Sequence, residues 1–182
     1  MLKNTQASWG IISRLFHWVI ALMVVTLLTV GLIMTGMEPG AEKWKLYGLH
    51  KATGMTVLAL VILRLFWRVF NPVPALPKGL SQWQMIAAYA NIYFLYLLLF
   101  CMPLSGFIMS VFGGHDIDYF GLVTIKAVTQ GQTPLGILSH AVHITLAYVI
   151  IGVVSLHVAA ALYHQFYLKN NLLRRMITGK PL

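Results

Sequence analysis

The sequence predicts an all-α fold, a four-helix transmembrane bundle with both termini cytoplasmic, and three observations carry that expectation. The 182 residues are 59% hydrophobic and only 9% charged, with a mean hydropathy of +0.78, whereas a soluble domain carries about 25% charged residues. Four apolar runs, at 11–37, 47–70, 84–112 and 135–168, each exceed the roughly 20 residues that cross a bilayer as a helix. The basic residues gather in alternate connections between those runs.

The first run opens after a short polar segment. It is too long for a signal-peptide core and has no small-residue cleavage site, so it is expected to stay as the first span. It stops at "TGMEPGAEK", where Gly36 and Pro39 break the helix. The second run leads into "NPVPALPKG", a proline-rich turn. The third contains Pro103 in "CMPLSGF", where a missing backbone donor predicts a kink. The connection over 113–134 is the longest, and the mixed character of "GGHDIDYFGLVTIK" suggests a folded cap. The fourth run ends in a basic tail. None of the runs alternates polar and apolar residues as barrel strands do. No repeat divides the chain, so 1–182 reads as one domain.

Charge sets the topology. Lys3, Arg14, Arg64, Arg68, Lys78, Lys169, Arg174, Arg175 and Lys180 fall on one side, with no acid among them. Lys43, Lys45, Lys51 and Lys126 share the other side with all four acids, Glu38, Glu42, Asp116 and Asp118. The positive-inside rule makes the first side cytoplasmic. The net charge of +9 is therefore a topology signal and a contact with anionic membrane lipid, and no nucleic-acid partner is expected. The single cysteine, Cys101, excludes an internal disulfide and reads as a small core residue. No C-x-x-C-H motif is present, so no c-type haem attachment is expected.

Histidines in lipid are costly unless they have partners, and they mark function. His143 and His157 are 14 residues apart. At 100° and 1.5 Å per residue they share one helix face and lie about 21 Å apart. His17 lies near the cytoplasmic surface on the first helix, and His50 near the outer surface on the second. Depth thus pairs His17 with His157 and His50 with His143. Each pair could clasp an iron porphyrin from both faces, filling both axial positions and favouring electron transfer over gas binding. The separation argues against one zinc cluster, which needs three or four converging ligands.

His140 is a rival to His143, although it is turned 100° from the face of His157. His115, in the loop, reads as a solvated or capping histidine. His164 lies only 20° off the face of His157 and about 10 Å nearer the cytoplasm. Charge placement leaves it open as the inner ligand. If His157 takes the iron, His164 can serve a quinone, which gains protons as it gains electrons. Arg64 is level with His157 and could pair with a haem propionate; the alternative is snorkelling to the interface with Arg68.

The segments "RLFHW" (14–18), "LHKATGM" (49–55), "RLFWR" (64–68), "MPLSG" (102–106), His143, "LHVAAALYH" (156–164) and "KNNLLRRM" (169–176) together resemble the bacterial cytochrome b561 family. The resemblance covers nearly the whole chain and is most specific at the C-terminus. It implies a multi-pass protein of the bacterial inner membrane with two haem b groups, ligated by His17, His50, His143 and His157. Some members resemble superoxide:ubiquinone oxidoreductases, with an outer haem reduced by superoxide and ubiquinone reduced near the inner one. His164 matches a histidine near the quinone in that group, where a second histidine follows; here Gln165 follows. The other function weighed is a haem-b anchor subunit, passing electrons to or from a bound dehydrogenase or hydrogenase as redox partner. A non-redox transporter or structural span is the third.

Overall fold

Lipid offers no water to unpaired backbone groups, so each apolar run closes its own hydrogen bonds as a helix. The computed structural model describes residues 1–77 and 79–181; Lys78, counted above among the basic side, lies outside the described residues. Four long helices are present: α1 (Ile11–Gly36), α2 (Ala41–Val69), α3 (Gln82–Val111) and α4 (Pro134–Leu162). A π-helical turn, Tyr163–Tyr167, continues α4, and a short helix α5 (Leu172–Thr178) follows. The helices pack in chain order, α1 on α2, α2 on α3 and α3 on α4. Four spans bring both termini to one end of the bundle.

The core is small and aliphatic: Ile20 and Val24 of α1, Val57 and Val61 of α2, Leu98 of α3 and Ile150 of α4. Large apolar side chains cover the outside, with Leu22, Phe66 and Leu156 each about two-thirds exposed. That surface suits hydrocarbon and no other solvent.

Several boundaries differ from the hydropathy pattern, for local reasons. Helix α2 starts at Ala41, six residues before the apolar run, because "AEKWKL" is helical though charged and carries Glu42 in its first turn. Helix α3 starts at Gln82 because Ser81 and Gln84 form a reciprocal capping box. Helix α4 starts at Pro134, where the Thr133 hydroxyl accepts from the Gly136 amide. Helix α3 runs unbroken through Pro103. The long connection is folded: β1 (Ile117–Tyr119) and β2 (Val123–Ile125) form an antiparallel hairpin with Asp118 opposite Thr124. It rests on α2, where Tyr119 and Thr56 share a hydrogen bond of 3.1 Å between their hydroxyls. Helix α5 was not legible in the hydropathy pattern. Lys169 and Asn171, both with positive φ, turn the chain back so that α5 crosses the end of the bundle.

Candidate functional site

Four half-buried histidines form two pairs. His17 on α1 faces His157 on α4, with ring centres 6.2 Å apart. His50 on α2 faces His143 on α4, with ring centres 6.3 Å apart. The spacing has chemical meaning. Two imidazoles on opposite sides of one metal, each bonded at about 2 Å through a nitrogen about 1.1 Å from its ring centre, have centres about 6.2 Å apart. Among the described residues, no group of three or more His, Cys, Asp or Glu is placed to hold a metal ion. Each pair therefore offers two imidazole donors and no third protein ligand among the described residues.

The ring orientations are held from behind. His143 Nδ1 lies 2.9 Å from the Met102 carbonyl and 3.2 Å from the Ser105 hydroxyl. A carbonyl only accepts, so Nδ1 carries the hydrogen and Nε2 keeps its lone pair for a metal. His157 Nδ1 donates in the same way to the Asn91 side-chain oxygen, at 3.1 Å. Glycines back the His50–His143 pair. A Cβ at Gly106 would lie 2.9 Å from His143 Cε1, and one at Gly31 would lie 3.4 Å from His50 Cε1. His50 and His143 border an apolar slot lined also by Leu27, Val57, Met102 and Ile150. The buried Nδ1 of His50 has no partner.

Arg64 reaches the other pair. Its Nη2 lies 3.5 Å from His17 Nδ1, and its Nε donates to the Tyr96 hydroxyl at 3.0 Å. The Arg68 guanidinium lies 5.7 Å from the Tyr96 ring centre. His164 stands apart, in the π-helical turn, with Nδ1 2.7 Å from the Asn170 amide nitrogen. The wider turn means that its direction no longer follows the 3.6-residue phase of His157. His140 and His115 are exposed, and it is His143 that meets His50. Beside His115, Asp116 accepts from Lys126 at 2.8 Å; that bond holds the Asp116 carboxyl below its ordinary pKa. That pair closes the cap on itself, and Lys51 of α2 donates to the Asp116 carbonyl at 3.2 Å, so the cap is tied to α2 there as well as at Tyr119.

Sequence reasoning missed Asn91, Tyr96, Ser105 and both glycines. A lone asparagine in "AYANIYF" carries a signal, since an amide in a span needs a partner. Gly106 and Ser105 stood in the quoted "MPLSG" without a role. Nothing in the local pattern marks Gly31.

A membrane bundle with paired imidazoles at metal-spanning distance defines a class, the membrane-embedded b-type cytochromes. Comparison gives the family: the model for prokaryotic cytochrome b561 matches residues 8–179, and the chain belongs to that family. It is similar to "Cytochrome b561 homolog 2" of Escherichia coli strain K12, with 32% identity over 96% of this chain and 93% of the relative. It is similar also to "Probable superoxide oxidase CybB" of Yersinia pestis, 27% identical over 90% of this chain and 92% of that one. "Cytochrome b561 homolog 1" of E. coli is 26% identical over 88% and 92%. The chain is therefore a multi-pass electron-transport protein of the bacterial inner membrane, and its cofactor is haem b.

Proposed function

We propose that residues 1–182 form a single di-haem domain that carries electrons across the inner membrane from an outer donor to ubiquinone. His50 and His143 hold the outer haem, and His17 and His157 hold the inner one. Both termini are cytoplasmic, as the basic end of the bundle requires. The observation that carries this reading is the pair of ring separations, 6.2 and 6.3 Å. Superoxide is the donor, a choice supported by the name of the Yersinia relative. Two superoxides release two electrons and leave two dioxygens; ubiquinone takes those electrons with two protons and becomes quinol.

Haem b, when bound, would supply a centre that changes oxidation state by one electron. The chain's own residues do the rest. Met102 and Asn91 fix the ring tautomers, so that a nitrogen lone pair faces the metal and the imidazole is a stronger donor. Arg64 only donates, so its contact at 3.5 Å requires a bare His17 Nδ1. If His17 binds metal through Nε2, the hydrogen moves to Nδ1, and the Arg64 fork is released to bind a propionate. His164 hydrogen-bonds a quinone carbonyl and supplies a proton as charge builds on it.

Alanine at His50 or His143 should remove the outer haem, or make it high-spin, and spare the inner one. Alanine at His17 or His157 should do the reverse. Four variants that each keep two haems with unchanged spectra would sink the assignment. One observation favours the anchor-subunit reading: the hairpin tip exposes Phe120, Leu122 and Val123, with Leu122 82% accessible. Stable co-purification with a soluble redox subunit, lost in Leu122→Ser, supports that reading; quinone reduction by the isolated chain supports the first.

A further inference from the structure

The tail motif "KNNLLRRM" is not accounted for by electron transfer. It folds into α5 and the turn before it. Beside them lies a cavity of about 200 Å³ lined by Asn171, Arg174, Arg175, Lys180 and Pro181. That is the space of about six waters, at about 30 Å³ each. Three of its five lining residues are cationic and none is acidic.

Arg175 is the unusual one, because it is only 3% exposed. Its Nη1 donates to the Ala75 carbonyl, at 2.6 Å, and its buried Nε has no partner. A buried cation needs a counter-charge or a full set of acceptors. The four acids are all at the opposite end of the bundle: Glu38 and Glu42 where α1 passes to α2, and Asp116 and Asp118 in the cap. Among the described residues the one salt bridge is Lys126 with Asp116, in that cap. Among the described residues no Asp or Glu side chain reaches Arg175, which leaves its guanidinium suited to an anion from outside.

We propose that this cavity is a binding site for a phosphate group, with Arg175 as its floor and Arg174 and Lys180 as its rim. A guanidinium fork offers parallel donors to two phosphate oxygens, and a flexible ammonium closes on the third. Free phosphate and the phosphodiester of an anionic lipid share this chemistry. The site stands independently of haem loading and of the direction of electron flow.

The test uses the purified haem-loaded protein, with Arg174→Gln/Lys180→Gln as the rim variant. Arg175 is left in place because its bond to Ala75 holds the fold. Lys3→Gln/Lys169→Gln is the control, removing the same charge from the same end outside the cavity. In the lipid arm, each protein is loaded into nanodiscs of phosphatidylcholine mixed with phosphatidylglycerol, and retained lipid is counted by native mass spectrometry. In the phosphate arm, the Tm in detergent is followed against inorganic phosphate at fixed ionic strength. Each surface cation contributes roughly fivefold to anionic-lipid binding. Two cations in direct contact with the phosphate should therefore cost about 25-fold in retention of phosphatidylglycerol in the rim variant, with a clearly smaller loss in the control. A phosphate-dependent rise in Tm, absent in the rim variant and without lipid preference, assigns the site to free phosphate. Equal losses in rim variant and control, or no change in either arm, overturn the proposal.

Discussion

Gly106→Ala tests how tightly the outer pair is packed. A methyl at Gly106 would stand 2.9 Å from His143 Cε1 and 3.2 Å from Nδ1. Carbon–carbon contacts are most favourable at about 3.5–4.0 Å, so the ring has to retreat by about 0.6 Å or more. Metal–ligand bonds tolerate about 0.2 Å. The same retreat pulls Nδ1 off the Met102 carbonyl, now 2.9 Å away. Overpacking of this kind costs about 1–3 kcal/mol. In binding that is roughly a 5- to 150-fold weaker hold on the outer haem. Gly31→Ala provides the graded comparison, because its methyl would meet His50 Cε1 at 3.4 Å, close to ordinary contact. Haem per chain is measured by pyridine haemochromogen, and each centre by its reduced α-band and redox titration. Gly106→Ala should fall towards one haem while the inner centre stays unchanged, with Gly31→Ala close to wild type. Full haem content and wild-type potentials in Gly106→Ala, or a larger effect at Gly31, would refute this account.

Three further outcomes follow from the same geometry. Asn91→Leu removes the acceptor behind His157 and should weaken inner-haem retention by about 10- to 100-fold, leaving the outer haem intact; equal loss of both would point to general misfolding. Reporter fusions after Leu182 should read cytoplasmic and one at Gly113 periplasmic, and the opposite pattern would invert the sides assigned here. His164→Ala should keep both haems and still permit reduction of the outer one, while electron delivery to ubiquinone slows by about 10²-fold; Asn170→Ala serves as the control for loss of the turn. Loss of the inner haem in His164→Ala would make His164 the ligand instead.

Which parts of this molecule could be read in advance follows from the range of the forces involved. The spans were legible because lipid demands some 20 apolar residues in a row whatever their neighbours. The histidine pairs were legible because α4 repeats a face over 14 residues and charge fixes depth. The rest depends on contacts between helices, which no single run encodes. Asn91 has meaning only once α3 lies against α4. The glycines have meaning only once a ring from another helix approaches them. The start of α2 at Ala41 escaped because hydropathy registers lipid, not helix propensity. Helix α5 escaped because seven residues of mixed character acquire their structure from the end of the bundle they cross.

Those end contacts tie orientation to folding. The cations of the basic end take backbone carbonyls: Arg14 donates to Ile177, and Arg175 to Ala75. The Trp18 indole adds a bond to the Met176 carbonyl. Ile177 and Met176 belong to the last turn of α5, whose carbonyls have no partners within the helix and carry partial negative charge. At the other end lysines also take backbone carbonyls, Lys43 that of Met37 and Lys51 that of Asp116, and Lys126 adds an exposed ion pair with the Asp116 carboxylate. The arginines of the basic end are therefore also residues that close that end of the bundle. Removing Arg14 would open the tail against which α1 is packed.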